Sequence, residues 1–574
     1  MIRLTKRNLK FIIPMKKALE VAKEISREFS QSIEGKRFKS VFCDCIGNES
    51  KDGFSVHYQS KELSIQAANP RSAAYAISQL KMAVEANRIR EVVGDNQPLY
   101  NLRPIWVHCD KHISLTENVG LYLPSIFLGK NKQTFETFCH RLLELGFNAV
   151  ILGSRNETFE YKSSTSFKEL EVLWQLFDEY GIQLIVKPVI YHPTGCDQVC
   201  LNPIDDQFCQ RVSQALSDLR QVTPSLNTFF WESVYCEQDF HYHPIGRGDS
   251  KFEKTLKELR CVEKGLSDDQ TLIYYLPTTD DLMARKQANW LVRFLNAAGP
   301  KTICAFSCVG GSFASDHLRR HPFWEVLYQL DRPPTTPGMP IMNTGGLGQG
   351  EGYWPNFPLE MLEEYLSYRN EFPIAGFIHS VRNIPKRGSL ADACMWVAGL
   401  SMWRRSHPMQ LLETWYRVHF SEESFVWFFS LLKKARVVIL EISAFEGVDQ
   451  EEVSCQGVKC RIDSLLAQID EIEVMVKVMA NRLPISKGAL KELFQLFAKD
   501  ARRKILYFAH QHDVSISSSS GLDFKGDGVW TQLSSGRVGE GAASAGQVSF
   551  YEVPNIGPEG SSSHKVHWEV NIEV

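Results

Sequence analysis

Residues 134–152 have the sequence TFETFCHRLLELGFNAVIL, which contains the signals of one helix and one strand in that order. Residues 134–145 are predicted to form the helix. Gly146 follows at the position where helices commonly end on glycine, because this residue adopts the left-handed conformation at little cost. Residues 149–152 are short and wholly apolar, as expected of a parallel strand that is buried on both faces. The stretch therefore predicts one helix–strand unit of an α/β protein.

The same unit recurs along the chain. Eight short and mostly apolar segments are predicted strands: residues 105–108, 149–152, 182–186, 228–231, 271–276, 303–307, 340–343 and 376–379. Helices are predicted between them, for example at residues 167–180 and 281–298. Eight strands that alternate with helices over residues 101–416 predict an α/β fold of the TIM type, a closed (β/α)₈ barrel. A doubly wound open sheet is the alternative, but the Gly-rich first turn typical of that fold does not follow residues 105–108.

The segments on either side of the barrel have different patterns. Residues 1–100 predict a small α+β domain, with a strand at 9–13, helices at 16–29 and 73–84, and a hairpin formed by 54–58 and 63–67. Residues 417–515 predict a helical domain, with helices at 422–445, 460–482 and 487–511. Residues 516–574 are a Ser/Gly-rich tail with strand-like pieces at 548–553 and 566–572, and the sequence leaves open whether this tail folds.

Charge and cysteine content narrow the classes of partner. Lys and Arg number 64 and Asp and Glu number 67, so no strong field attracts nucleic acid or an anionic membrane. No segment approaches the roughly 18 apolar residues of a membrane-spanning helix, and the apolar run that stops at Pro14 is too short for a signal peptide. The 14 cysteines are scattered, which predicts reduced thiols in a cytoplasmic protein, with a disulfide framework as the alternative.

Motifs for cofactors and metals are absent from the sequence. No P-loop follows the Gly-rich segment around Glu351, and no ligand spacing such as H-E-x-x-H occurs. We therefore expect no cofactor and no metal. The oligomeric state stays open, and a homo-oligomer is compatible with the sequence.

The barrel fold selects the candidate binding residues. In barrels of this class the active site lies at the carboxyl ends of the strands, on the loops that follow them. Seven residues at these places are candidates for substrate binding: Asp110, Arg155, Lys187, His192, Trp354, Arg382 and Asn383. A cation in the mouth suits a substrate carboxylate, the structural alternative being a salt bridge within the loops. His379 is predicted at the same end of the barrel.

Four carboxyl groups are the catalytic candidates: Glu232, Glu237, Asp316 and Glu351. Glu232 directly follows Phe229-Phe230-Trp231, and burial in apolar surroundings disfavours the charged form of a carboxyl group, which suits a general acid. The structural alternative is that Glu232 pairs with a neighbouring Lys or Arg inside the barrel mouth. Glu351 lies among glycines that let the backbone approach a ligand closely, although such glycines also suit a flexible loop. Two carboxyl groups that flank a bond are what glycoside hydrolysis requires.

A family resemblance is carried by the segment around the eighth strand. The sequence GFIHSVRN at 376–383, followed by AGLSMWRRSHP at 398–408 and LLETWY at 411–416, resembles the last barrel unit of family 67 glycoside hydrolases, the α-glucuronidases. The sequence SIQAANPRSAAYA at 64–76 resembles the domain that these enzymes share with β-hexosaminidases in front of the barrel. The order of parts, from small α+β domain through barrel to helical domain, is also similar.

The resemblance implies roles for the acids. The family has its acid after strand four, which implies Glu232 or Glu237. A base-side Glu after strand seven implies Glu351, which lies in the similar sequence QGEGY at 349–353. A second family Asp after strand six implies Asp316, although this chain has Ser312-Phe313-Ala314 at that place.

The sequence thus predicts a glycoside hydrolase that acts on a glycan or oligosaccharide, with uronic acid implied by the resemblance. Glu232 would protonate the leaving oxygen, and Glu351, together with Asp316, would activate water from the opposite face. The alternative is a catalytically degenerate barrel that binds a carbohydrate or a protein partner. The departure at Ser312 favours this alternative, because a barrel fold alone does not determine activity.

Overall fold

The structure is a computed structural model of the 574-residue chain. It describes residues 2–4, 15–32, 40–45, 51–59, 62–85, 90, 92–107, 111–114, 119–123, 132–153, 167–190, 206–222, 226–233, 251–276, 292–307, 334–343, 373–381, 387–388, 390–403, 407–420, 425–446, 455–482, 497–498, 501–502, 505, 509, 539–543, 546–553 and 565–571. These residues divide into two compact units, one up to residue 428 and one from residue 429 onward. The four-part domain division expected from the sequence stays a prediction.

The first part of the chain forms a five-stranded sheet with two helices. In spatial order the strands are β1 (Ile2–Leu4), β2 (Ser40–Cys45), β4 (Glu62–Ala67), β3 (Phe54–Gln59) and β5 (Gly94–Asn96), and the helices are α1 (Lys16–Ser32) and α2 (Pro70–Glu85). The antiparallel pairing of β3 with β4 confirms the predicted hairpin, and α1 and α2 confirm the two predicted helices. The strand expected at 9–13 lies outside the described residues, and β2 was not predicted.

Eight parallel strands close into a barrel, which confirms the predicted fold class. In chain order they are β6 (Pro104–Val107), β9 (Ala149–Leu152), β10 (Gln183–Val186), β12 (Thr228–Glu232), β13 (Thr271–Leu276), β14 (Thr302–Ser307), β15 (Gly338–Asn343) and β16 (Ile378–Val381). Every neighbouring pair is parallel, and β16 pairs with β6 to complete the ring. All eight strands overlap the predicted segments, and β16 starts two residues later than expected.

Alternation along each strand decides which side chains fill the barrel. Successive side chains of a strand point to opposite faces, so every second residue faces the axis. The inward residues form one buried apolar cluster: Trp106, Ala149, Ile151, Ile185, Phe230, Ile273, Tyr275, Ala305, Met339, Ile341 and Ile378. The barrel is therefore packed with side chains, and a ligand can reach it only at the ends.

Helices follow the strands on the outside of the barrel. They are α3 (Lys132–Leu145), α4 (Phe167–Glu179), α5 (Asp206–Val222), α6 (Lys251–Gly265), α7 (Leu390–Ser401) and α8 (Pro408–His419). Gly146 and Gly181 follow α3 and α4 with φ of +81° and +66°, which confirms the predicted glycine at the end of each helix. Of the helix predicted at 281–298, residues 292–297 are described and helical.

A small antiparallel sheet that was not predicted accompanies the barrel. It consists of β7 (Lys111–Ser114), β8 (Val119–Leu123) and β11 (Pro188–Ile190), with β8 in the middle. β7 and β8 come from the loop after the first barrel strand, and β11 comes from the loop after the third. The small sheet therefore joins two loops at the end of the barrel where the strands finish.

One cysteine pair corrects the expectation of reduced thiols. Cys209 on α5 and Cys261 on α6 are joined by a disulfide, with their Cα atoms 4.9 Å apart. Such a distance lies within the usual range for disulfides. No local pattern indicates this pair, because 52 residues separate the two cysteines and only the packing of α5 against α6 brings them together.

The last part of the chain contains two long helices and a three-stranded sheet. The helices are α9 (Phe425–Glu446) and α10 (Cys455–Arg482), and the strands β17 (Gly539–Ala543), β18 (Gly546–Val553) and β19 (Lys565–Asn571) pair antiparallel. These elements confirm the helices predicted at 422–445 and 460–482 and both strand-like pieces of the tail. Of the helix predicted at 487–511, only residues 497–498, 501–502, 505 and 509 are described, and these are helical. Within the described ranges, no helix has the combined length and apolar character that crossing a membrane requires.

Candidate functional site

Lys187 and Glu232 stand at the carboxyl ends of the third and fourth barrel strands. Ile185 and Phe230, two residues earlier in each strand, belong to the apolar cluster inside the barrel. Because side chains alternate along a strand, Lys187 and Glu232 face the same interior. The structure therefore brings together two of the residues that the sequence placed at the barrel mouth.

The two side chains form a buried ion pair. Lys187 Nζ donates a hydrogen bond to Glu232 Oε2. The lysine side chain is 6% exposed and the glutamate side chain is 1% exposed. This contact is the structural alternative for Glu232, a salt bridge with a neighbouring lysine inside the barrel mouth. Lys187 thus engages the Oε2 atom, which the predicted general acid would need to have free to donate a proton to the leaving oxygen.

The two carboxylate oxygens of Glu232 differ in their hydrogen bonding. Glu232 Oε1 is buried and accepts no hydrogen bond from the described part of the chain. A buried polar atom without a hydrogen bond costs roughly 1–3 kcal/mol, and more when it belongs to a charged group. An uncompensated cost of this kind at the end of a barrel strand is typical of a site that is completed by a ligand.

Three aromatic side chains pack against one another inside the barrel, on strands β6, β12 and β13. The ring centroids of Trp106 and Phe230 lie 5.0 Å apart, those of Phe230 and Tyr275 lie 5.8 Å apart, and those of Trp106 and Tyr275 lie 5.7 Å apart. All three side chains are fully buried. They line the barrel interior next to the ion pair with apolar surface, and electrostatic interactions are stronger in such low-dielectric surroundings.

Gly153, which sequence reasoning missed, makes room for Lys187. A Cβ atom at Gly153 would stand 2.7 Å from Lys187 Cβ and 3.1 Å from Lys187 Cδ. The indole Nε1–H of Trp106 donates to the carbonyl oxygen of Gly153 at 3.0 Å, which holds this stretch of backbone in place. The only signal in the sequence was the position of Gly153 directly after the strand at 149–152.

Backbone pairing holds Lys187 between two sheets. Its amide N–H donates to the carbonyl oxygen of Leu152 at 3.0 Å, which continues the barrel pairing beyond the end of β10. The next residues form β11, which pairs with β8 in the small antiparallel sheet. Lys187 is thus fixed from both sides, although it follows the last residue of its barrel strand.

The residues on either side of Glu232 are anchored on the outer face of the barrel. Glu258 on α6 is fully buried and accepts hydrogen bonds from Trp231 Nε1 at 3.0 Å and Ser233 Oγ at 2.8 Å. The Tyr274 hydroxyl donates to the same carboxylate at 2.6 Å. Glu258 therefore fixes the end of β12, and the sequence did not single it out.

His379 was expected at the mouth, but its side chain lies elsewhere. Ile378 belongs to the cluster inside the barrel, so its neighbour His379 faces the helices outside. Its ring centroid lies 6.3 Å from that of Phe147. Complete burial lowers the pKa of His379 to about 3, so the imidazole is neutral near pH 7.

The other predicted site residues lie outside the described residues, and their roles stay predictions. They are Asp110, Arg155, His192, Glu237, Asp316, Glu351, Trp354, Arg382 and Asn383. Among the described residues, no group of three or more His, Cys, Asp or Glu side chains is arranged to hold a metal ion.

The fold and the mouth together define a (β/α)₈-barrel protein with a charged pair at the ends of strands three and four. Among solved structures, the chain is similar to a GH138 enzyme targeting pectin rhamnogalacturonan II, with a TM-score of 0.55 and 11% sequence identity over 89% of this chain and 69% of that chain. No protein-family model and no curated protein matches the chain. At such low identity the likeness establishes the fold alone.

Two further structures are less similar. The O-GlcNAc hydrolase of Thermobaculum terrenum, solved as a mutant, has a TM-score of 0.40 and 11% identity over 72% of this chain and 88% of that chain. The GH20 exo-β-N-acetylglucosaminidase of Vibrio harveyi has a TM-score of 0.41 and 10% identity over 76% of this chain and 74% of that chain. Neither likeness carries an argument about this chain. Family 67 glycoside hydrolases are not among the structures named in these findings.

Proposed function

We propose that the chain is a glycoside hydrolase that acts on a glycan or oligosaccharide at the barrel mouth. One observation carries the proposal: Glu232 is a buried carboxylate at the end of the fourth strand, with Oε2 anchored by Lys187 and Oε1 accepting no hydrogen bond from the described residues. Active sites of these barrels lie at this end of the strands. The likeness to a GH138 enzyme that targets pectin rhamnogalacturonan II supports the same class of substrate.

The contacts favour a particular role for Glu232. Glu232 Oε2 forms a salt bridge with the ammonium group of Lys187, a contact made by a carboxylate anion, and glycoside hydrolysis needs one ionised carboxylate opposite a protonated one. We infer that Glu232 is the ionised member, as nucleophile, base or charge stabiliser. The protonated partner would come from Glu237, Asp316 or Glu351, which remain the candidates from the sequence.

The ion pair also affects the prediction that the substrate contains a uronic acid. Lys187 already neutralises Glu232, which does not favour Lys187 as the receptor for a uronic acid carboxylate. Arg155 and Arg382 remain the predicted cations for that role, and α-glucuronidase activity remains a proposal. Disulfides persist mainly in oxidising compartments, so the bond between Cys209 and Cys261 does not favour the predicted cytoplasmic location.

Turnover by a matched pair of variants tests the proposal. Wild type, Glu232→Gln and Glu263→Gln would be incubated with aryl-glycosides and uronosyl oligosaccharides. We expect Glu232→Gln to lose about 10²–10⁴-fold in kcat/KM, the usual contribution of a positioned carboxyl group. Glu263→Gln removes a carboxylate that contacts Gly299 and Thr302 at the end of the barrel where the strands begin, and it should keep its turnover. Undiminished hydrolysis by Glu232→Gln would remove this residue from the chemistry.

A barrel that binds a carbohydrate without cleaving it is the second candidate. The ion pair favours it, because a carboxylate neutralised by lysine is also a common structural arrangement. Binding of oligosaccharides by wild type, with no released sugar from any substrate, would select this candidate.

A further inference from the structure

We propose that Glu232 Oε1 is a preformed acceptor that binds an uncharged hydrogen-bond donor of the ligand, a sugar hydroxyl or amide N–H, and excludes a ligand carboxylate from this position. The inference rests on the proposed function and goes further, because it assigns the chemistry of the group that enters the end of strand four. It also makes Lys187 a positioning residue for Glu232.

The Glu232 side chain points into the barrel mouth. Glu232 follows Phe230 at the strand spacing of two, so it faces the barrel interior and the mouth above it. Its Oε2 is occupied by Lys187, and Oε1 is the buried atom that accepts nothing from the described residues. A group that completes this site must therefore donate a hydrogen bond to Oε1.

The charges of Glu232 and Lys187 decide which ligand group can approach Oε1. The positive charge of Lys187 is already compensated by the carboxylate that it contacts. A ligand carboxylate placed against Oε1 would put two like charges together without a proton between them, which is strongly unfavourable at low dielectric. A hydroxyl or amide N–H at the same place forms a charge-assisted hydrogen bond instead.

Neighbouring residues hold both Lys187 and Glu232 in place. The stem of Lys187 passes over Gly153, where a side chain would collide with it, and Trp106 holds the Gly153 carbonyl. The end of β12 is fixed from the outside by Glu258, which binds the residues before and after Glu232. The acceptor is thus held in place before a ligand arrives, which lowers the entropic cost of binding.

Binding of matched sugars tests the inference. Methyl glucoside and methyl galactoside, as both anomers, would be titrated against the full-length protein by ligand-observed NMR, beside the corresponding methyl glucuronides and galacturonides. Each pair differs only in a CH₂OH group against a carboxylate. We expect a neutral member to bind at least about tenfold more tightly than its uronide, because like charges in contact are penalised. In Glu232→Gln this ratio should fall to near one, while Glu263→Gln, at the other end of the barrel, should keep it.

A third variant, Lys187→Met, tests the rival explanation that Lys187 binds the carboxylate of a uronate. If Lys187 received the uronate, wild type would bind the uronide more tightly than the neutral sugar, and Lys187→Met would abolish that preference. Under our inference wild type prefers the neutral sugar, and Lys187→Met widens this preference because Glu232 loses its counter-charge. Should Lys187→Met fail to fold by circular dichroism, the ratio in Glu232→Gln decides alone. Tighter binding of uronides by wild type, an unchanged ratio in Glu232→Gln, or no binding of either sugar would overturn the inference. If Glu232→Gln abolished turnover while the wild-type ratio was near one, the proposed hydrolase would stand and the acceptor would fall.

Discussion

The two ends of the barrel each contain a buried ion pair, and the two pairs are built differently. At the end where the strands begin, Asp52 contacts Arg71 and Arg103. At the end where they finish, Glu232 contacts Lys187. Both carboxylates are almost completely buried. The difference between them lies in how many donors each carboxylate has.

The Asp52 carboxylate is satisfied on both oxygens. Asp52 Oδ1 accepts from Asn69 Nδ2 at 3.0 Å, from Arg71 NH2 at 2.8 Å and from Ser72 Oγ at 3.2 Å, and Oδ2 accepts from Arg103.

Arg103 in turn fixes the loops below the barrel. It donates to the carbonyl oxygens of Gly146 and Tyr100 at 2.7 Å each, and its guanidinium lies over the ring of Trp403, 4.7 Å from the centroid. Its own amide N–H donates to Asn148 Oδ1 at 2.8 Å, just before the second strand. Glu232, by contrast, keeps one oxygen that no described residue contacts.

The contrast agrees with the division of labour in these barrels. The end where the strands begin serves stability, and the end where they finish serves function. A complete network fixes one geometry, whereas an incomplete one has capacity for a ligand and costs stability until the ligand binds. Three experiments can break or sharpen this comparison.

The largest effect is expected at the satisfied end. Asp52→Asn removes the charge that compensates the buried Arg103 and the partly buried Arg71, and loss of one partner of a buried pair typically costs about 3–5 kcal/mol. The free energy of unfolding, measured by urea denaturation, should fall by this amount. Asp95→Asn, on the exposed surface of the same sheet, should change it by less than about 0.5 kcal/mol. If Asp52→Asn lowered the free energy of unfolding only slightly, the contacts of Asp52 with the two arginines would not be what stabilises this end of the barrel.

Acid should affect the barrel wall before it affects the Asp52 network. Burial alone raises the pKa of Asp52, but the charges of Arg71 and Arg103 outweigh it and hold the pKa well below its usual range. The stability contributed by Asp52 is therefore present above its unfolded pKa of roughly 4 and is lost only as the pH falls through the lower folded value.

As the pH falls, His379 lowers the free energy of unfolding at a higher pH than Asp52 does. Its folded pKa of about 3 lies below the ordinary value of 6.5, so the unfolded chain takes up a proton first as the pH falls. Between pH 6.5 and 4.5 this linkage should remove about 2 kcal/mol from the free energy of unfolding. His379→Gln should lose correspondingly less over the same interval. Equal pH dependence of the two proteins would exclude His379 as the cause.

The smallest effect is expected for removal of the whole pair at the mouth. Replacing a complete buried ion pair with apolar residues is often neutral or stabilising by about 1–4 kcal/mol, so Lys187→Met/Glu232→Leu should unfold no more easily than wild type. The matching change at the other end, Asp52→Leu/Arg103→Met, leaves the Gly146 and Tyr100 carbonyls without their donor and should destabilise. Equal losses in both double variants would erase the proposed distinction between the two ends.

Local patterns predicted most of the barrel and two residues of its mouth. The strand at 149–152 and the strand at 271–276 were predicted to the residue, because each is an apolar run that ends in clear turn signals. Lys187 and Glu232 were predicted at the mouth because the barrel rule places strand ends there. β2 and the small sheet of β7, β8 and β11 were missed, since short strands of mixed polarity have no distinct periodicity.

The order of helices and strands was determined by the sequence alone, because apolar spacing and helix-ending glycines act over a few neighbouring residues. The contacts of Lys187 with Glu232, of Asp52 with Arg103 and of Cys209 with Cys261 join residues 45, 51 and 52 positions apart. Only the tertiary structure decided these contacts. Which side chains meet across such distances depends on strand register and helix packing, and these are properties of the whole closed barrel and not of any one segment.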